Sequence, residues 1–138
     1  MRLLIAVPVL ALATACGSSD ESKPSGEADG APAAFDSRKA SHEVIERGEE
    51  IYEANCIACH GEGGKGDGPA AGVLKPPPRD HTDKAYMSTL TDEDLKKVIV
   101  MGGAIKGRPL MPSHPQLRGQ DLDALVAYVR SLSEGGGH

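Results

Sequence analysis

Cys56-Ile57-Ala58-Cys59-His60 places two thiols with two residues between them and an imidazole directly behind the second. Several chemistries compete for such a stretch. A redox-active C-x-x-C belongs in a βαβ setting, and no strand pattern precedes Cys56. A structural zinc site needs a second pair of ligands; no cysteine follows Cys59, and the remaining histidines are scattered. A plain disulfide leaves His60 without a task.

The stretch is also C-x-x-C-H, the attachment signature of c-type haem. Two thiols at this spacing reach the two haem vinyl groups and form thioethers, and the adjacent His60 turns its imidazole onto the iron as proximal ligand. The composition makes the chance expectation of this pattern roughly 0.002, so the signal is specific. The expected cofactor is one covalent haem c, held by Cys56, Cys59 and His60.

Outward from the motif, the apolar spacing is helical. Val44, Ile45, Gly48, Ile51 and Tyr52 share one face of a segment from Asp36 or Ser37 to Ala54, with either residue able to cap its start. That helix delivers Cys56 at its end. Thr91-Asp92-Glu93-Asp94 opens a second helix with a capping hydroxyl and three acids at the positive end of its dipole. Leu95, Val98 and Ile99 form its apolar face, and Gly102-Gly103 stops it. A third helix covers about Gly119 to Leu132, with Leu122, Leu125, Val126, Val129 and Leu132 in one stripe and Arg130 suited to its negative C-terminal end. No segment alternates as a strand. The predicted fold is all-α, with three main helices and long loops. Loops spanning 61–90 and 102–118 need something to pack on, and a haem supplies it. It also accounts for the shortage of large side chains: one Phe, three Tyr and no Trp.

Gly61-Glu62-Gly63-Gly64-Lys65-Gly66-Asp67-Gly68-Pro69, then Lys75-Pro76-Pro77-Pro78-Arg79-Asp80, then Met111-Pro112 ahead of LDALVAYVRSL follow the motif in order. In this order the chain resembles the bacterial class I monohaem cytochromes c, over about residues 36–133. The resemblance implies their fold, wrapped around a single haem, with first and last helices crossing at Gly48, Tyr52, Leu125 and Tyr128. It implies Met111 as the sixth ligand. The prolines around Met111 stiffen its loop by fixing φ, which suits holding a thioether at the iron. His114 is the rival, Met87 a residue to pack on the haem, and Met101 a helix-end core residue. It also implies that the second nitrogen of His60 donates to a backbone carbonyl, at Pro69 by position, and that Arg79 or Arg108 meets a haem propionate. His42 and His81 carry no expectation beyond surface or cap roles.

With both axial positions filled, outer-sphere electron transfer remains. The expected function is a one-electron carrier, not an enzyme, working with redox partner proteins as a monomer. Two alternatives stand: a dedicated subunit through which electrons enter a larger oxidoreductase complex, and a five-coordinate haem enzyme or sensor. The formal charge of −5 on 138 residues argues against nucleic acid, which needs a basic face, and predicts that a partner docks through a basic surface.

Met1–Ala15, MRLLIAVPVLALATA, has the basic start, short apolar stretch and small-residue end of an export signal. It falls short of the ~20 residues of a spanning helix. Ala13-Thr14-Ala15 fits an ordinary cleavage site. Ala13-Thr14-Ala15-Cys16 also resembles a lipobox, and lipid attachment would explain the odd cysteine, Cys16. Residues 16–35 then read as the lipid-attachment cysteine and a disordered tether, whose 18 residues from Gly17 to about Ala34 have a root-mean-square span of roughly 23 Å. Residues 134–138 read as a flexible tail. The expected location is the periplasmic face of a bacterial membrane as a lipoprotein, or the soluble periplasm.

Overall fold

The computed structural model describes residues 35–135. The export signal, Cys16 and nearly all of the tether lie outside the described residues, as do residues 136–138. Five helices follow in order: α1 (His42–Asn55), α2 (Ile57–His60), α3 (Lys84–Met87), α4 (Asp92–Met101) and α5 (Gly119–Glu134). Among the described residues there is no strand, and no helix is long and apolar enough to cross a membrane. The all-α class with three main helices is as expected; α2 and α3 are single turns.

The centre of the domain is α5. Its residues from Ala124 to Arg130 are all buried, so its apolar surface extends well beyond one stripe. α1 crosses it through Gly48. A Cβ at Gly48 would stand 2.1 Å from the Ala124 carbonyl oxygen and 2.7 Å from Tyr128 Cβ. Only glycine lets the two backbones meet there. Tyr52, fully buried, packs its ring 5.1 Å from that of Tyr128, so the crossing takes the expected form. At the rim, Arg47 pairs with Asp121.

α4 begins as predicted. The Thr91 hydroxyl accepts from the Asp94 N–H while the Asp94 carboxylate accepts from the Thr91 N–H, a reciprocal cap. Leu95 and Ile99 are buried against the core. Gly102, at φ +83, stops the helix and also makes room: its missing Cβ would lie 3.1 Å from the Met111 carbonyl oxygen.

Three expectations need correction. The first helix does not start at Asp36 or Ser37. Asp36 caps a 3-10 turn, Ser37–Lys39, and α1 begins only at His42 because Ala40 and Ser41 are extended. The break lets Ser37 bury itself and donate its N–H to Asp92 Oδ2 at 3.2 Å. Glu134 is not frayed: α5 runs through it and closes on Gly135 at φ +89. Arg130 does not sit at an exposed helix end. It is 3% exposed, and its guanidinium donates to Asp92 Oδ1 at 3.0 Å, to the Met87 carbonyl at 2.6 Å and to the Leu90 carbonyl. It ties the turn between α3 and α4 to the central helix.

Candidate functional site

The motif forms a helical turn. The His60 N–H donates to the Cys56 carbonyl at 2.9 Å, and Gly61, at φ +77, closes α2. Residues three and four apart share a helix face, so Cys56, Cys59 and His60 point the same way. All three line one cleft of about 250 Å³, while Ile57 and Ala58 face away from it. The cleft is too large for a packing defect in a close-packed domain. Its floor and walls are mostly apolar, including Tyr52, Met87, Leu95, Val98, Leu125 and Val129. The 74–79 stretch and the 106–114 loop form the remaining walls.

Both cysteines are free. Burial, and then the nearby Cys59, push the Cys56 thiol up to about 11. A redox-active dithiol needs the opposite shift, toward a stable thiolate, so the environment speaks against that reading.

His60 Nδ1 lies 3.0 Å from the Arg79 carbonyl oxygen. A carbonyl only accepts, so Nδ1 carries the proton and Nε2 keeps its lone pair. Burial lowers the His60 pKa; the Arg79 hydrogen bond works against this, and the charge of Arg108 adds to it. The ring is therefore neutral at physiological pH, the state a metal requires. The acceptor is not Pro69, a correction to the positional expectation. Gly68 and Ala70 donate to the Cys59 and Ala58 carbonyls and carry the chain along the outer side of α2, with Pro69 between them. The chain reaches the ring only at Arg79. A tertiary loop path of this kind leaves no local sequence signal.

Of the four methionines, Met87 and Met111 line the cleft, and Met87 is buried. Met101 is 55% exposed at the end of α4, not a core residue. Met111 is held from below by Gly103, whose N–H donates to the Met111 carbonyl at 3.1 Å and whose Cβ would collide with Met111 Cβ at 2.6 Å. His114 also lines the cleft; its ring lies 3.5 Å from the Gln116 amide, and its N–H donates to the Ile99 carbonyl. Arg79 and Arg108 both reach the cleft. The Arg79 guanidinium lies 4.1 Å from the Tyr86 ring centre, and Arg108 donates to the Pro77 carbonyl.

Sequence reasoning gave His81 no role, yet it lines the cleft. Its ring is stacked on that of His60 with centroids 4.2 Å apart, and its Nδ1 is buried without a partner. Burial first, and then the neighbouring His60, push its pKa down to about 3 against the opposing pull of Asp80. No periodicity marks a loop histidine for burial.

The overall negative charge also misleads about this face. The charged residues lining the cleft are Lys75, Arg79, Lys106 and Arg108 against Asp94 alone, while Glu43, Glu46, Glu50 and Glu53 stand exposed along α1. The basic partner surface expected from net charge therefore does not match the charges around the site.

Two thiols and an imidazole that burial favours in its neutral form, on one helix face above a largely apolar cleft, fit a covalently attached haem. The fold and site define a helical haem c protein. The comparisons agree: residues 45–133 match the Cytochrome c family, and the chain belongs to it. Covalently bound haem c is the cofactor of that family, with Cys56 and Cys59 in the attachment positions.

The chain is 32% identical over 90 residues to cytochrome c oxidase subunit 2 of Alkalihalophilus pseudofirmus, covering 64% of this chain and 26% of that protein. It is 36% identical over 93 residues to lupanine 17-hydroxylase (cytochrome c) of a Pseudomonas species, covering 66% and 12%. It is 31% identical over 93 residues to cytochrome c6 of Cyanidium caldarium, covering 67% and 74%. The chain thus spans about a quarter of the oxidase subunit and about an eighth of the hydroxylase, but most of the cytochrome c6.

Proposed function

We propose that the protein is a one-electron carrier with His60 and Met111 as axial ligands of its haem iron, not an enzyme. The carrying observation is that Cys56, Cys59, His60 and Met111, from the motif and from a loop far along the chain, line the same cleft. The haem supplies the one-electron couple. The chain's residues do the rest. The Arg79 carbonyl fixes the His60 tautomer and strengthens it as a donor. The glycines under Met111 let its loop close on the cleft. A thioether ligand raises the potential relative to a second histidine. The apolar walls exclude water, and the guanidinium groups of Arg79 and Arg108 offer bidentate partners to the propionates.

The cations around the cleft support a partner that docks through an acidic face. The N-terminal sequence supports export to the periplasm, with a lipid on Cys16 holding the domain near the membrane as a tethered monomer. A second reading, a dedicated subunit that passes electrons into a larger complex, is favoured by the oxidase subunit among the relatives.

Mass spectrometry and visible spectroscopy of the natively exported protein test this reading. One haem mass, a shortened acylated N-terminus and a ferric thioether-to-iron charge-transfer band are expected. Met111→Ala removes that band and His114→Ala keeps it. A colourless protein would end the proposal. A band lost only in His114→Ala would move the sixth ligand. A stable partner co-purifying with the chain would favour the subunit reading.

A further inference from the structure

Attachment and ligation leave unexplained why a half-buried imidazole faces His60. The His81 ring lies nearly parallel to that of His60, with centroids 4.2 Å apart and planes 18° from each other. On another side it meets Tyr52 edge-on, at 6.1 Å and 68°. The loop holds it there firmly. The His81 N–H donates to the Gly64 carbonyl at 2.7 Å. Gly64 is at φ +72, with His81 Cβ 3.3 Å from where a side chain would start. One residue on, Thr82 gives both its N–H and its hydroxyl to Asp80 Oδ1, which fixes the turn. The buried His81 Nδ1 finds no partner. An unsatisfied buried nitrogen is unfavourable, so packing alone would be better served by an apolar side chain.

We propose that His81 is a positioning residue that sets the ring plane of His60. The hydrogen bond to the Arg79 carbonyl fixes one point on the His60 ring and leaves a swing about that contact. A flat face laid against the ring removes the swing, because an offset aromatic stack has a preferred orientation. An aliphatic side chain of similar bulk fills the space without imposing a plane. The proposal rests on His60 being the proximal ligand: the plane of a ligated imidazole then sets how unpaired spin spreads over a ferric porphyrin.

The test is proton NMR and EPR on the ferric holoprotein for wild type, His81→Phe and His81→Leu, with His81→Met as a second non-planar variant should the leucine form not fold. Far-UV circular dichroism and haem content establish that each variant is intact. Phenylalanine, which still stacks, is expected to keep the order of the haem-methyl resonances and the largest g value. Leucine or methionine is expected to reorder the resonances and broaden the EPR envelope. An intact non-planar variant with the wild-type pattern overturns the role, as does an equal departure in the phenylalanine and non-planar variants. A wild-type ferric protein that is not low-spin would overturn the ligand assignment together with the proposal; unresponsive variants of a low-spin protein overturn the proposal alone.

Discussion

Replacing Arg130 by Met separates two accounts of this residue by magnitude. A cation near a helix C-terminus contributes about 0.3–1 kcal/mol. The structure calls for more. Arg130 is 3% exposed, its guanidinium touches Asp92 Oδ1 at 3.0 Å, and it satisfies the Met87 and Leu90 carbonyls. Methionine fills much of the same volume but leaves Asp92, whose side chain is 14% exposed, without its counter-charge. Breaking one partner out of a buried pair costs about 3–5 kcal/mol. The two carbonyls would raise that figure, but they belong to the same network and do not add independently. For a domain of about 100 residues the lower bound corresponds to a fall in melting temperature of roughly 12–24 °C. Guanidinium denaturation of the holoprotein, followed by far-UV circular dichroism, measures the loss. Adding Asp92→Asn to Arg130→Met is expected to recover part of it, because the stranded charge is then gone. A loss below about 1 kcal/mol would return Arg130 to the helix-dipole role and refute the buried-tie reading.

Three further outcomes follow from the same geometry. Gly48→Ala adds helix propensity, normally a gain of about 1 kcal/mol in a helix interior. Here the new Cβ meets the Ala124 carbonyl at 2.1 Å, so denaturation is expected to show a loss of about 1–3 kcal/mol, and any net stabilisation would contradict the close crossing. Burial raises the Asp92 carboxyl, but Ser37 and the Arg130 guanidinium outweigh it and hold it below its ordinary value. Its stabilising contribution is therefore complete above the unfolded carboxyl value of about 3.9 and disappears as pH falls through the folded one. Denaturation midpoints should fall more steeply below about pH 4 in wild type than in Asp92→Asn, and parallel curves would remove the effect. Finally, ferricyanide, an anionic probe, should oxidise the ferrous protein more slowly as ionic strength rises above about 0.1 M, where the screening length is about 10 Å and local charge dominates. Lys75→Glu should slow it further, and a stopped-flow rate that climbs with salt would show that the net charge governs the approach instead.

Much of this protein is local, and what is local is legible. C-x-x-C-H at 56–60 carries its own chemistry, because the spacing that puts three side chains on one helical face is a property of five residues. The start and stop of α4 and the start of α5 could be read from Thr91, Gly102 and the stripe from Leu122 to Leu132, since capping and amphipathicity act within a few turns. The resemblance to class I cytochromes c added Gly48 as a crossing point and Met111 as a ligand candidate; the folded chain puts Gly48 at the crossing, and Met111 lines the cleft along with Met87 and His114. The break before His42 was missed because it depends on Asp92, 55 residues away from Ser37.

Arg130, the carbonyl on His60 and the stacking of His81 were decided by tertiary structure. Each joins residues far apart in sequence: Arg130 to Asp92, His60 to Arg79, His81 to the motif across a glycine-rich loop. The same holds for charge. Composition sums to −5, but only folding gathers Lys75, Arg79, Lys106 and Arg108 from separate segments around the cleft while the α1 glutamates stay outside its lining. Spacing along a chain specifies which side chains a helix presents together. The environment each one meets there, and so its ionisation, its partners and its use, depends on segments that only the folded chain brings alongside.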